Sequence, residues 1–232
     1  MADGVDVLAT ARFVTRRLET AGAAGITIRR RRSFAGLWGR DLPGKVWTPF
    51  FDPGRNDLLP DHLVVIEGCD SDGATVFLVA ARRDELGTSP LPVLWQSWFD
   101  RFFPGGERLD RLSLPPGADR VRGTVAYFGE GWLHPALRSR KGLGAQLVEL
   151  GMVVIRASWS DLGWLTGFVP RRLYLKGYAA HTGLAHTELF DDADRAAPGF
   201  LEPGEMFVYI SAGEIDALVA ADLRRHLWGA VR

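Results

Sequence analysis

The sequence predicts a mixed α/β fold in which strands and helices share one core. Three observations carry that prediction. Apolar runs of strand length recur along the whole chain. Several are separated by stretches with helical periodicity. One junction, from Leu133 to Leu147, runs from a strand through a proline and two glycines straight into an apolar helix. At 232 residues, 47% of them apolar, the chain suits a single domain spanning residues 1–232.

Residues 5–21 carry Val5, Leu8, Phe13, Val14 and Leu18 at roughly helical spacing, and Gly22 and Gly25 stop the run, which predicts an N-terminal helix. Residues 26–33 read as a strand. Its run Arg29-Arg30-Arg31-Arg32 suits a solvated strand edge, with an anionic substrate contact as the other reading. Residues 34–60 are rich in Gly, Pro and aromatics (Phe34, Trp38, Trp47, Phe50, Phe51), so irregular chain with short helical turns is expected, the rings packed over the core. Residues 62–68 and 74–82 are strands joined by the hairpin turn Asp70-Ser71-Asp72-Gly73. The acidic pair there answers local backbone bonding rather than a metal.

Trp95, Trp98, Phe99, Phe102 and Phe103 repeat at three and four residues and predict an aromatic helical insertion over about 91–103. Core packing is the preferred role for its rings; a lid or a dimer contact is the alternative. Residues 121–133 form the central strand, where Gly129-Glu130-Gly131 is a natural place for a bulge. The helix at 144–159 has Leu147, Leu150, Val154 and Ala157 on one face and Val148, Met152 and Ile155 on another, so it should be buried against the sheet. Gly151 inside it costs about 1 kcal/mol relative to Ala and marks close packing. Residues 164–169 form a strand parallel to the central one, because a helix connects them. Pro170 opens a helix to about Thr182, and Gly183 closes it. Residues 184–190 and 205–210 are the last strands. Ser211 and Glu214 form a capping box for a C-terminal helix at 212–228 with Ile215, Leu218, Val219, Leu223 and Leu227 as its apolar face.

Composition excludes several classes. Lys plus Arg and Asp plus Glu each number 28, so no general attraction to nucleic acid is expected. No run of about 18 apolar residues offers a membrane span. The single cysteine, Cys69, rules out an internal disulfide framework and a Cys-rich zinc site. Asp3 and Asp6 near the start do not suit a secretory leader, and a cytoplasmic location is expected. His181 and His186 do not have zinc-helix spacing, and no metal is expected. The dinucleotide fingerprint is incomplete after Gly142 and Gly144, and neither a Walker loop nor a Gly-x-Ser-x-Gly elbow occurs.

The chemistry gathers at the strand-to-helix junction. A helix start exposes unpaired N–H groups and carries roughly half a positive charge. Gly142 and Gly144 lack Cβ atoms, so a phosphate can come close to the amides, and Arg138, Arg140 and Lys141 add charge at the rim. Arg140-Lys141-Gly142-Leu143-Gly144-Ala145, entering a helix after a strand that ends in His134-Pro135, resembles the acetyl-CoA-binding signature of the GCN5-related N-acetyltransferase (GNAT) superfamily. That signature is Gln or Arg, two residues, Gly, one residue, then Gly or Ala. Gly142 and Gly144 match; the first position falls on Ser139, and Arg138 serves if the loop carries one extra residue. The resemblance spans about residues 121–210.

The resemblance implies a mostly antiparallel central sheet with a splayed parallel strand pair, flanked by helices. It implies acetyl-CoA, or another acyl-CoA, as co-substrate. The pantetheine arm would pair with backbone at Trp132, Leu133 and His134, and the pyrophosphate would sit on the amides from Arg140 to Ala145, Leu143 included. It further implies direct transfer of an acetyl group, in a ternary complex, to the amine of a small molecule or a protein. Residues 34–60 would help form the acceptor pocket. Glu130 is the expected base, with Phe128 and Trp132 desolvating it, and His134 is a second candidate. The expected acid is a tyrosine after the second parallel strand: Tyr178 is preferred over Tyr174 because a strand follows Gly183 at once. Other readings stay open: a longer acyl donor accommodated by the aromatic insertion, a non-catalytic acyl-CoA-binding module suggested by Ser139, or an interaction protein, a homodimer included, that pairs through the aromatic helix.

Overall fold

Alternation of inward and outward side chains organises a seven-stranded sheet. A computed structural model describes residues 6–110 and 114–229, with side chains described to residue 226. The strands are β1 (Thr27–Arg31), β2 (Leu63–Cys69), β3 (Thr75–Glu85), β4 (Thr124–Leu133), β5 (Trp164–Val169), β6 (His186–Phe190) and β7 (Glu205–Ser211). They lie in the order β1-β2-β3-β4-β5-β7-β6. Every neighbouring pair is antiparallel except β4 and β5. The helices are α1 (Val7–Ala23), α2 (Leu91–Phe102), α3 (Leu143–Ser158), α4 (Arg171–Tyr174), α5 (Tyr178–Thr182), α6 (Ala193–Ala196) and α7 (Ala212–Gly229). The expected sheet, mostly antiparallel with one parallel pair and flanked by helices, is the one observed. No helix among the described residues is long and apolar enough to cross a membrane.

Period-two burial gives the sheet two apolar faces. On one, Val64, Ile66, Val79, Ala126, Leu165, Val208 and Ile210 pack with α1, α3 and α7. On the other, Val65, Leu78, Ala80, Val125, Tyr127 and Phe207 pack under α2 and the chain between β1 and β2. The aromatic helix is therefore an interior layer. Trp95 is fully buried, with ring centroids 5.3 Å from Phe168, 5.5 Å from Phe190 and 4.9 Å from Phe207. Its face meets the protein's own core, so the lid and dimer-contact alternatives do not apply to these rings.

Local chemistry sets several boundaries. Asp6 caps α1 by accepting a hydrogen bond from the Ala9 N–H at 3.0 Å. Asp70 Oδ1 accepts from the N–H groups of Asp72 and Ala74, which closes the β2–β3 hairpin. The capping box of α7 forms in both directions: Ser211 N–H donates to Glu214 Oε2 at 2.8 Å, and Glu214 N–H donates to Ser211 Oγ at 3.2 Å. Close packing at Gly151 is also real. A Cβ there would lie 3.0 Å from Val79 Cγ2 and 3.3 Å from the Phe128 ring.

Three expectations need correction. In α1, Leu8 and Leu18 are exposed, and the buried row is Ala9, Phe13, Arg17 and Ala21. Arg17 can take a core-facing position because its guanidinium stacks on Phe13, bonds Glu149 of α3 at 2.7 Å and bonds Asp222 of α7 at 3.1 Å. Arg16 also pairs with Asp222. In α3, Ala157 is exposed and Val153 is buried in its stead. The segment after Pro170 is two short helices, because Gly177 adopts φ +79°, outside helical space. Val5 and the side chain of Leu227 lie outside the described residues.

Trp95→Ala is expected to destabilise the fold by about 3–5 kcal/mol, whereas Leu8→Ala should stay within about 0.5 kcal/mol; urea denaturation of both variants checks the contrast.

Candidate functional site

The parallel pair is short. β4 and β5 are in register only from Val125 to Tyr127 against Trp164 to Thr166. Beyond Tyr127, β4 bulges: its register against β3 shifts between Leu78 and Ala80. Glu130 sits at the bulge with φ +57°, and among the described residues it is the non-glycine residue with positive φ. Such a conformation costs on the order of 1–3 kcal/mol and persists only where surrounding contacts over-determine it. Those contacts come from the loop before β2. Glu130 Oε1 accepts a hydrogen bond from the Thr48 N–H at 2.9 Å, and Oε2 pairs with the Lys45 ammonium. Lys45 also donates to the Val46 carbonyl at 2.8 Å and lies 4.9 Å over the Trp47 ring. Both side chains of the pair are buried. Burial lowers the Lys45 pKa, and the Glu130 charge opposes that shift. Phe128 and Trp132 were the expected neighbours of this carboxylate. Its polar partners are Lys45 and Thr48, Phe128 lines the same cleft, and the Trp132 indole N–H donates to the Pro43 carbonyl at 3.1 Å.

Where β4 leaves β5, a cleft of about 220 Å³ opens through the sheet. Lys45, Thr48, Tyr127, Glu130, Tyr178 and Glu205 supply its polar lining, and Phe168, Leu173, Phe200 and Leu201 are among its apolar walls. The Tyr178 hydroxyl is pushed up to about 12 by burial, so it keeps its proton at neutral pH. Burial pushes the Glu205 carboxyl up to about 7, against the hydrogen bond it accepts from the Glu202 N–H. Tyr127 is raised by burial and by the charges of Glu130 and Glu205, so its phenol lies within the field of both carboxylates. Thr48 Oγ1 is buried without a hydrogen-bond partner among the described residues.

The structure thus brings Glu130 and Tyr178 to one cleft and leaves Tyr174 out of its lining, half-buried against the helical layer. His134 is also outside. Its Nδ1 accepts from the Ala136 N–H at 3.3 Å and caps the turn Pro135–Leu137, so its role here is local. Lys45, Thr48 and Glu205 escaped sequence reasoning because they come from a loop and a strand start that carry no motif. The available signal for Glu205 was an acid opening an apolar strand after Pro203-Gly204.

From Phe128 onward no strand among the described residues covers the β5 side of β4. That open edge leads from the cleft to the glycine loop at the carboxyl end of β4. Trp132 and Leu133 pair with Leu78 and Phe77 on the β3 side, and the His134 N–H donates to the Val76 carbonyl. Gly142 caps α3 with φ +76°. The amides of Gly144 and Ala145 have no acceptor among the described residues, as the first turn of a helix requires. Leu143 anchors the turn with a buried side chain, and its N–H donates to the Arg140 carbonyl at 3.2 Å. Arg138 Nε bonds the Leu133 carbonyl at 2.9 Å, Arg140 bonds the Ala24 carbonyl at 2.8 Å, and Lys141 is exposed. No cluster of three or more His, Cys, Asp or Glu side chains suited to a metal occurs among the described residues.

No family model and no curated protein matches the sequence. Among solved structures the chain is similar to an aminoglycoside acetyltransferase in complex with coenzyme A and kanamycin, at 11% identity over 68% of this chain and 71% of that one, with a TM-score of 0.37. It is similar to an N-acyl amino acid synthase from uncultured soil microbes at 12% identity over 93% and 89% of the two chains, TM-score 0.38. It is also similar to a spermidine N-acetyltransferase chimera from Vibrio cholerae and hSSAT at 13% identity over 82% and 98%, TM-score 0.42.

Two outcomes test the site's electrostatics. Glu130→Gln leaves a buried ammonium without its counter-charge and is expected to cost about 3–5 kcal/mol; adding Lys45→Met should recover most of that loss in a urea double-mutant cycle. Glu205 binds more protons folded than unfolded between its ordinary 4.5 and about 7. Its contribution therefore makes stability fall as pH rises across that window and level off above it. Comparing urea midpoints against pH for the native chain and Glu205→Gln reads that slope directly.

Proposed function

We propose that this protein is a GNAT-like acyltransferase that moves an acyl group from an acyl-CoA, acetyl-CoA first among them, to the amine of a small molecule. One observation carries the reading. The uncovered edge of β4 joins a cleft holding carboxylates and a proton-bearing tyrosine to a helix start with free amides. The donor set there suits a diphosphate. Gly144 and Ala145 offer unpaired N–H groups among the described residues, Gly142 leaves their approach open, and Arg138, Arg140 and Lys141 precede them in the same loop. Backbone from Trp132 to His134 along the same edge is the proposed track for the pantetheine arm. Bound there, the thioester supplies an activated acyl carbon.

The chain's own residues then manage protons. An amine attacks only when neutral, so a cleft carboxylate must accept a proton from it. Glu130 is the sequence-derived candidate. Tyr178, protonated at neutral pH, is the proposed donor to the departing sulfur, with Tyr174 as the lesser candidate because it stands outside the lining. The engagement of both Glu130 oxygens by Lys45 and Thr48 favours a second reading, a module that binds acyl-CoA without turnover.

Calorimetric titration with acetyl-CoA should give saturable heat at a single site. A Cβ at Gly144 would lie 3.5 Å from Leu133 Cδ2, an ordinary contact. Gly144→Val should therefore keep the thermal midpoint yet weaken acetyl-CoA by about tenfold or more, some 1.4 kcal/mol. Absence of heat from the unaltered chain refutes the reading.

A further inference from the structure

Among the described residues, the cleft holds one carboxylate that no cation pairs within salt-bridge distance. We infer that Glu205 receives the proton of the acceptor amine and that the acceptor is a primary monoamine carried on an apolar body, an inference that rests on the acyltransferase reading above.

Glu205 opens β7 opposite Phe190 of β6, and it is 4% exposed. Its Oε2 accepts from the Glu202 N–H at 3.3 Å, and its Oε1 makes no hydrogen bond among the described residues. Glu130 differs in kind. Both of its oxygens are taken, one by an ammonium, and accepting a further proton would leave Lys45 buried and unpaired. Glu205 can be protonated without breaking an ion pair. Its raised pKa near 7 agrees with that role. The charged and titratable groups around it are Glu202 on its own segment, Arg172 of α4, which is itself paired with Glu202, Arg171 packed against Gly204, Tyr127 of β4, and, across the same cleft, Tyr178 of α5 and the Lys45–Glu130 pair.

The charge pattern selects the acceptor. Lys45 and Glu130 neutralise each other, which leaves Glu205 as the carboxylate of the lining without a salt-bridge partner among the described residues. One ammonium fits it. A second ammonium would meet Phe168, Leu173, Phe200 or Leu201, and so would an amino-acid carboxylate, with no partner to offset desolvation. In the reaction, an N–H bond of the ammonium breaks and its proton goes to Glu205 Oε1. The freed nitrogen pair forms the C–N bond to the thioester carbon as the C–S bond breaks. The sulfur leaves with the electron pair of the broken C–S bond and takes the Tyr178 hydroxyl proton. The second N–H proton replaces the tyrosine proton, and the proton on Glu205 passes to solvent.

The test uses the full chain, acetyl-CoA and 2-phenylethylamine, reading thiol release for turnover and calorimetry for acetyl-CoA binding. For the unaltered protein kcat/KM should rise with pH through about 7. Glu205→Gln should lower kcat/KM by about 100-fold or more and remove that limb, with acetyl-CoA affinity unchanged. 1,4-Diaminobutane and phenylalanine should be at least about tenfold poorer acceptors. If Glu205→Gln fails to bind acetyl-CoA, Glu205→Asp replaces it, with a reduced rate and the limb retained but displaced. The inference is overturned if Glu205→Gln keeps both rate and limb, if a protein that binds acetyl-CoA does not turn over 2-phenylethylamine, or if the diamine is preferred. Failure of the unaltered chain to bind acetyl-CoA overturns the acyltransferase reading instead.

Discussion

The centre of this molecule depends on the buried pair between Lys45 and Glu130. A glutamate at φ +57° is held against its own backbone preference, and the ammonium and the Thr48 amide supply the opposing force. Glu130 lies three residues beyond the last residue of β4 that pairs with β5, where the two strands have parted. Pairs of this kind add little net stability, since removing two charges from water offsets most of their attraction. Their effect is to select one arrangement. Here the selected arrangement is a sheet with a gap in its middle.

That gap is kept open from both faces. On the helical side, the Phe128 ring rests against the bare backbone of Gly151, so α3 sits close without filling the opening. On the other side, Phe50, Trp98 and Tyr127 belong to a continuous aromatic layer whose rings meet at 5.0–5.3 Å. The lining draws from both cores: Tyr178, Leu184 and Val208 from one, Tyr127, Phe168 and Leu201 from the other. A cleft that passes through a sheet in this way gives two reactants separate approaches to one point.

Much of this was legible in the sequence, for a physical reason. The hairpin at Asp70, the capping box at Ser211, the bulge at Gly129-Glu130-Gly131 and the turn at Gly142 are each decided by a few neighbouring residues. The parallel pair followed from a helical connection. The break at Gly177 was a local feature missed, but the other illegible features depend on residues far apart in the chain. Arg17 displaced Leu8 and Leu18 from the interior only because Glu149 and Asp222 come to meet it. Glu130 could be picked out, but not its partner, because Lys45 lies 85 residues away in a loop without a pattern. Glu205 looked like an ordinary strand start until topology set it beside Tyr127 and Tyr178.

The cluster around Asp222 has a consequence for how the molecule is made. Arg16 and Arg17 of the first helix find this carboxylate only when α7 arrives, 206 and 205 residues later. Until then a guanidinium destined for the interior lacks one of its counter-ions, and the first helix has its reason to dock only in part. Loop closure over that span carries an entropic cost that the contact must offset, so the docking of α1 onto α7 belongs to the non-local part of the fold. The polar clasp thereby ties the two ends of the described chain together on one face of the sheet, so a change at Asp222 is felt at both helices.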